Sequence, residues 1–151
     1  MVEIGKEAPS FILEDSESQL VKLEDFRGKK VVLWFYPKDD TPGCTKEACE
    51  FRDAKSDFEA AGAVVVGISP DEVASHQRFR EKYDLPLILL ADPKRQAIEA
   101  YDVWRKKNSG GKTVMGVERS TFLIDEQGVL IDERRQVVVD GHVEEMLAQL
   151  G

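Results

Sequence analysis

The sequence predicts an α/β fold in which a mixed central β-sheet is sandwiched between α-helices. Three observations lead there. Apolar runs of β-branched and aromatic residues alternate three times with helix-like segments between residues 30 and 101, and such alternation implies parallel strands joined by helical crossovers. Two further strand-like runs near the C-terminus are joined by Glu126-Gln127-Gly128, a hairpin turn that adds antiparallel strands. The chain has 151 residues, 42% of them hydrophobic, enough for one domain, 1–151, with a core of its own.

Residues 1–19 lack sustained periodicity, and Ala8-Pro9 followed by Ser10-Phe11-Ile12-Leu13 reads as an extended arm lying on the body. Gln19 to Leu23 alternates as a short strand does. Leu23 to Gly28 reads as one helical turn closed by glycine. Lys30 to Tyr36 is a buried strand, because Val31 to Tyr36 is an unbroken run of apolar and aromatic residues. Thr41-Pro42 then starts a helix, with threonine as N-cap and proline at the first helical position. Ala48, Phe51, Ala54, Phe58 and Ala61 recur at three- and four-residue steps, a core-facing stripe that carries one helix from Pro42 to Ala61 and stops it at Gly62. Ala63 to Ser69 is a second buried strand. Ser69-Pro70-Asp71-Glu72 combines a serine cap, a first-turn proline and a glutamate three after the cap, which predicts a helix to about Tyr83. Leu87 to Ala91 is a third strand, and Asp92-Pro93 starts a helix to about Tyr101. Lys106 to Lys112, K-K-N-S-G-G-K, is a mobile loop by composition. Glu118 to Asp125 and Val129 to Val138 form the hairpin, and Asp140 caps a last helix, Gly141 to Leu150. Length and order suit a thioredoxin-like domain with extensions.

The formal net charge of −8 argues against a surface built for nucleic acid or anionic membrane, since both need basic patches. The short cluster Arg105-Lys106-Lys107 reads as a solvated loop. No apolar run approaches the roughly 20 residues that span a bilayer, and the N-terminus does not read as a signal peptide. The expected compartment is the cytoplasm, where paired cysteines are more often catalytic or metal-binding than structural. A metal site is not expected: His76 and His142 show no ligand spacing to the cysteines. His76 reads as a helix-surface residue and His142 as a first-turn residue of the last helix.

The chemistry concentrates in Pro37 to Arg52. Both cysteines, Cys44 and Cys49, lie on the helix that Thr41-Pro42 starts. Cys44 falls in the first turn, where backbone N–H groups lack helical partners and the dipole favours negative charge, so the position favours a thiolate. The Thr41 hydroxyl and the free N–H groups of that turn can hold a small two-oxygen substrate and stabilise a leaving oxyanion. Cys49 is five residues on, a rotation of about 140° and a rise of about 7.5 Å in an ideal helix. The Cα atoms would then be roughly 8.7 Å apart, beyond the ~7 Å reach of a disulfide. Either Cys49 is a core residue or the helix start unwinds during turnover, and Gly43 would ease unwinding. Arg119, at the start of a strand, is the candidate cation for the thiolate. Glu47 lies one turn from Cys44 on the same face and could hold an arginine by a bidentate pair.

These residues resemble a known family. P-K-D-D-T-P-G-C-T-K-E-A-C-E-F-R-D, Pro37 to Asp53, is similar to the active-site segment of peroxiredoxins, with their P-x-x-x-T-x-x-C pattern at Pro37, Thr41 and Cys44. The second cysteine five residues later resembles the bacterioferritin comigratory protein, or PrxQ, type. Ala8 to Phe11, Leu23 to Gly28, Gly67 to Ser69 and Arg119 to Asp125 sit where that family carries similar segments. The resemblance implies a thioredoxin fold and reduction of hydrogen peroxide and organic hydroperoxides. It makes Cys44 the peroxidatic thiolate, which becomes a sulfenic acid, and Cys49 the resolving thiol of an intramolecular disulfide. It assigns Thr41 and Arg119 to binding and polarising the peroxide, Pro37 to shielding the sulfenic acid, and Glu47 to orienting Arg119. Thioredoxin or a glutaredoxin-like dithiol would restore both thiols, no cofactor is implied, and a resolving thiol in the same chain suits a monomer. The loop K-K-N-S-G-G-K replaces the aromatic-rich text that the family carries near residues 104–117.

Two other readings use the same cysteines. A general thiol–disulfide oxidoreductase would want Cys-x-x-Cys, whereas this chain has Cys-x-x-x-x-Cys preceded by a hydroxyl. A peroxide-sensing relay would share the chemistry at Cys44 and pass its disulfide to a partner.

Overall fold

The computed structural model describes residues 2–150. Its strands are β1 (Ile12–Asp15), β2 (Leu20–Lys22), β3 (Lys30–Phe35), β4 (Ala63–Ser69), β5 (Ile88–Ala91), β6 (Trp104–Ser109), β7 (Lys112–Val117), β8 (Ser120–Ile124) and β9 (Leu130–Arg134). Its helices are α1 (Pro42–Asp53), α2 (Lys55–Ala60), α3 (Val73–Tyr83), α4 (Gln96–Ala100) and α5 (His142–Leu150), with a 3-10 turn at Leu23–Phe26. Seven strands form one mixed sheet in the order β2-β1-β5-β4-β3-β8-β9. β3, β4 and β5 run parallel, β8 is antiparallel to β3, and β9 is antiparallel to β8.

β3 divides the interior in two. Side chains alternate across a strand, so a run that is apolar at every position must be covered on both faces. Val31, Leu33 and Phe35 face a core that includes Ile98 of α4 and Tyr101, the residue that follows it. Val32, Trp34 and the next residue, Tyr36, face a second core with Phe51 of α1, Phe58 of α2 and Met146 of α5. Helices thus cover both faces of a mixed sheet, the layering expected from the sequence. The topology also sets the site. β3 lies between β4 and β8, so its C-terminal end delivers α1 beside Arg119, the residue before β8.

Several boundaries differ from expectation. The helix predicted over Pro42–Ala61 is two helices, broken at Ala54 (φ −97°, ψ 3°). Residues seven apart in an ideal helix are separated by about 10.5 Å along the axis, and with the break the rings of Phe51 and Phe58 stand 5.8 Å apart. Ser69 does not cap α3. It completes β4, its hydroxyl donates to the Asp71 carboxylate, and α3 starts later, at Val73. α4 likewise starts three residues after Pro93, although Asp92 still serves its first turn, accepting from the amides of Gln96 and Ile98 at 2.7 and 2.9 Å. Asp140 pairs with Lys46 rather than capping α5, which starts at His142. The last strand ends at Arg134, short of Val138.

Two segments carry more structure than their composition suggested. The N-terminal arm contains β1, which pairs with both β2 and β5 and extends the sheet. The segment expected to be a mobile loop is the hairpin β6–β7, in unbroken register from Trp104↔Val117 to Ser109↔Lys112. Gly110 and Gly111 turn it with φ of 59° and 81°, as a two-residue turn of matching twist requires. Among the described residues, no helix is long and apolar enough to cross a membrane.

Candidate active site

Thr41 has the extended backbone of an N-cap (φ −92°, ψ 154°), and Pro42 opens α1. The cap differs from expectation in one respect: the Thr41 hydroxyl makes no bond to the helix and instead donates to the Lys38 carbonyl at 2.9 Å. The Thr45 amide donates to the Thr41 carbonyl at 2.8 Å, which starts the helical ladder. The Gly43 and Cys44 amides therefore stand at the N-terminal end, where the helix supplies no acceptor.

Arg119 brings the site together. Its Nη2 donates to Cys44 Sγ at 3.3 Å, and its Nη1 donates to Glu47 Oε1 at 2.6 Å. One planar guanidinium thus spans sulfur and carboxylate, as its fork of donors permits. The expected two-pronged Arg119–Glu47 pair is a single bond, because the second nitrogen is spent on the sulfur. Gly43 makes room for this: a Cβ there would lie 3.1 Å from Arg119 Nη2.

Burial sets the electrostatics. Cys44 and Glu47 are fully buried, so Glu47 is not a solvated surface carboxylate. Burial pushes the Glu47 carboxyl up to about 7, with Arg119 pulling the other way. Glu47 Oε2 has no partner among the described residues. Burial pulls the Arg119 guanidinium down, but Glu47 and Cys44 together hold it above the ordinary arginine range. Cys49 is half-buried on α1 and packs against the second core. Both cysteines are free thiols. With α1 continuous from Pro42 to Asp53, they are separated as an intact helix separates them. Pro37 is half-buried and directly precedes the turn that carries Thr41.

Sequence reasoning missed two features beside these residues. Lys107, expected in a solvated loop, is half-buried, and its stem lies along Gly116, where a Cβ would meet it at 3.3 Å. Burial, then Arg119, holds its ammonium below the ordinary lysine range, while Cys44 and Glu118 act in the opposite sense. His76, expected on a helix surface, is fully buried behind the Pro37–Thr41 turn. The only sequence signal was its place on the inward face of α3, three residues before Phe79. His142 occupies the first turn of α5, as expected, but is buried there against Thr121, with 2.7 Å between Nε2 and Oγ1. Burial holds its imidazole below the usual histidine range.

Comparison with known proteins agrees with this geometry. The AhpC/TSA family model matches residues 4–133. The chain is 51% identical to Peroxiredoxin Bcp of Bacillus subtilis, over 99% of this chain and 95% of that protein. It is 52% identical to the putative peroxiredoxin bcp of Coxiella burnetii, over 99% of both. Among solved structures, a mutant of Xanthomonas campestris Peroxiredoxin Q superposes with a TM-score of 0.92 at 37% identity, covering 99% of this chain and 98% of that one. A structure from work on alkyl peroxide reduction by the Xanthomonas campestris bacterioferritin comigratory protein gives 0.91 at 37% identity, covering 98% and 97%. The architecture is therefore the thioredoxin-like one expected, and the chain belongs to the AhpC/TSA family, within its Bcp/PrxQ group of peroxiredoxins.

Proposed function

We propose that this thiol peroxidase reduces hydrogen peroxide and organic hydroperoxides at Cys44 and closes its cycle through Cys49. The observation that carries the reading is the Arg119 fork on Cys44 Sγ and Glu47 Oε1. A guanidinium hydrogen-bonded to sulfur favours the thiolate and stays in place to receive charge that develops on oxygen. The Thr41 hydroxyl has spent its hydrogen on Lys38, so its lone pairs are free to accept the O–H of a hydroperoxide.

The thiolate attacks the terminal peroxide oxygen and the O–O bond breaks. The electron pair leaves on the alkoxide or hydroxide, which takes up a proton, and sulfur becomes a sulfenic acid. Pro37 shields that acid and Glu47 orients Arg119. After α1 unwinds at its start, the Cys49 thiol attacks the sulfenic sulfur and water leaves, giving the disulfide. Thioredoxin or a glutaredoxin-like dithiol returns both thiols by exchange, and no cofactor takes part. The reading includes a monomeric cytoplasmic enzyme, one domain over 1–151, that engages neither nucleic acid nor membrane. Intact mass after one equivalent of peroxide tests it. Wild type should lose two hydrogens, Cys44→Ser should not change, and Cys49→Ser should gain one or more oxygens. Oxygen gained by Cys44→Ser would remove Cys44 from the chemistry.

A further inference from the structure

Behind the turn that carries Thr41 lies a buried polar cluster that the mechanism above does not use. Asp39 Oδ1 accepts from the Tyr36 hydroxyl at 2.6 Å. Asp39 Oδ2 accepts from the Ser75 hydroxyl at 2.8 Å and lies 2.7 Å from His76 Nδ1. The Asp39 amide donates to Asp71 Oδ2 at 2.8 Å, and the Ser69 hydroxyl donates to the same oxygen at 2.7 Å. His76 Nε2 lies 3.0 Å from the Leu90 carbonyl. Tyr36 and His76 are fully buried and Asp39 is nearly so.

Placing charged and polar groups in a core costs stability unless each is paired. The cluster is not explained as packing, because apolar residues of the same volume would fill the space at lower cost. Asp39, Asp71 and His76 stand close enough together to suggest a metal site. Yet an Oδ2 oxygen of each carboxylate and both nitrogens of the ring already have protein partners.

What the cluster does hold is the turn. Asp39 follows Lys38, whose carbonyl fixes the Thr41 hydroxyl. Asp40, with a left-handed φ of 59°, reaches Lys82 and Tyr83 on α3. Two consecutive side chains therefore fasten this turn to α3, which otherwise takes no part in the site. We propose that Asp39 and His76 are positioning residues for peroxide reduction. Through the Lys38 carbonyl they hold the Thr41 oxygen where the substrate meets it. The inference rests on the reading of Thr41 as a peroxide ligand.

The test separates position from thiolate chemistry. Cys44 oxidation by hydrogen peroxide needs the thiolate and the Thr41 oxygen, whereas alkylation by iodoacetamide needs only the thiolate. In Asp39→Ala and His76→Leu the peroxide rate constant should fall about tenfold or more, since displacements near 1 Å cost up to about 100-fold. Alkylation should stay within about twofold of wild type, because the Arg119 contact to sulfur is untouched. Ser75→Ala removes one hydrogen bond and no charge, so it serves if the others fail to fold, and should show the same split at about two- to fivefold. His76→Gln keeps a donor toward Asp39 and should recover part of the rate. Unchanged peroxide rates would overturn the inference, and so would peroxide and alkylation rates that fall together. Wild-type peroxide turnover is measured alongside, so failure of the peroxidase reading shows separately.

Discussion

Glu47 concentrates the electrostatic cost of the site in one side chain. Its carboxyl is buried, one oxygen is on Arg119, and the other has no partner among the described residues. Burial raises it from 4.5 to about 7, so the protonated form suits the folded state better than the ionised one. The stability this gives is fully present below pH 4.5 and lost as pH rises through about 7. At ~1.4 kcal/mol per unit the change is at most about 3–4 kcal/mol. Urea unfolding from pH 4.5 to 7.5 should show wild type weakening across that window and Glu47→Gln staying flatter. Parallel curves would place the titration elsewhere. Arg119→Lys keeps the charge but loses the fork, since an ammonium cannot reproduce two planar donors set on sulfur and carboxylate. The rate of Cys44 oxidation by peroxide should fall about 10- to 100-fold, and an unchanged rate would show that charge alone suffices. The sequence pointed to Cys44, Thr41, Arg119 and Glu47 as candidates, by spacing within a helical turn and by resemblance to a family, and the fold brings Arg119 onto both Cys44 and Glu47. The single Arg119–Glu47 bond and the burial of His76 were not legible in the sequence, because both depend on which atoms a distant strand and helix bring near.

At the scale of the element, the proposed cycle requires α1 to be both ordered and breakable. Its first turn presents Cys44, yet the intact helix keeps Cys49 out of reach. Hydrogen exchange of amides 43–50 should therefore be slower in the reduced protein than in the disulfide form, and equal protection in both would mean the helix does not open. The neighbouring strands are buried and closely paired. Gly67 pairs with Trp34 across β3 and β4, and a Cβ at Gly67 would come within 2.8 Å of the indole. Gly67→Ala should cost about 1–3 kcal/mol, read as a lower midpoint in thermal unfolding. Strands β3 and β4 were readable because apolar runs between turn residues have few other uses. The break at Ala54 was not: its neighbours keep a helical apolar stripe, and only ring packing between Phe51 and Phe58 marks the bend. β6 and β7 were missed because β6 is mostly polar and basic while the apolar Val114 and Met115 of β7 stay exposed, so no alternation of a buried and a solvated face betrays a strand. They are held by pairing with each other and by the Gly110-Gly111 turn.

For the whole molecule, both thiols of the proposed cycle lie in one chain, so no second copy is needed to finish it. Light scattering should give the mass of a single chain in both the reduced and the oxidised state. A stable dimer in either would remove that part of the proposal. The sequence by itself determined the layered α/β class, the helix start at Thr41-Pro42 and the place of the candidate thiol Cys44 in the first turn, because these rest on local periodicity, capping and spacing. Tertiary structure alone decided the rest. It chose which charges are buried, how Arg119 divides its donors between Cys44 and Glu47, and how α3 grips the turn before α1. Those are contacts between residues up to 75 positions apart, and desolvation acts on a group only when the fold has closed around it.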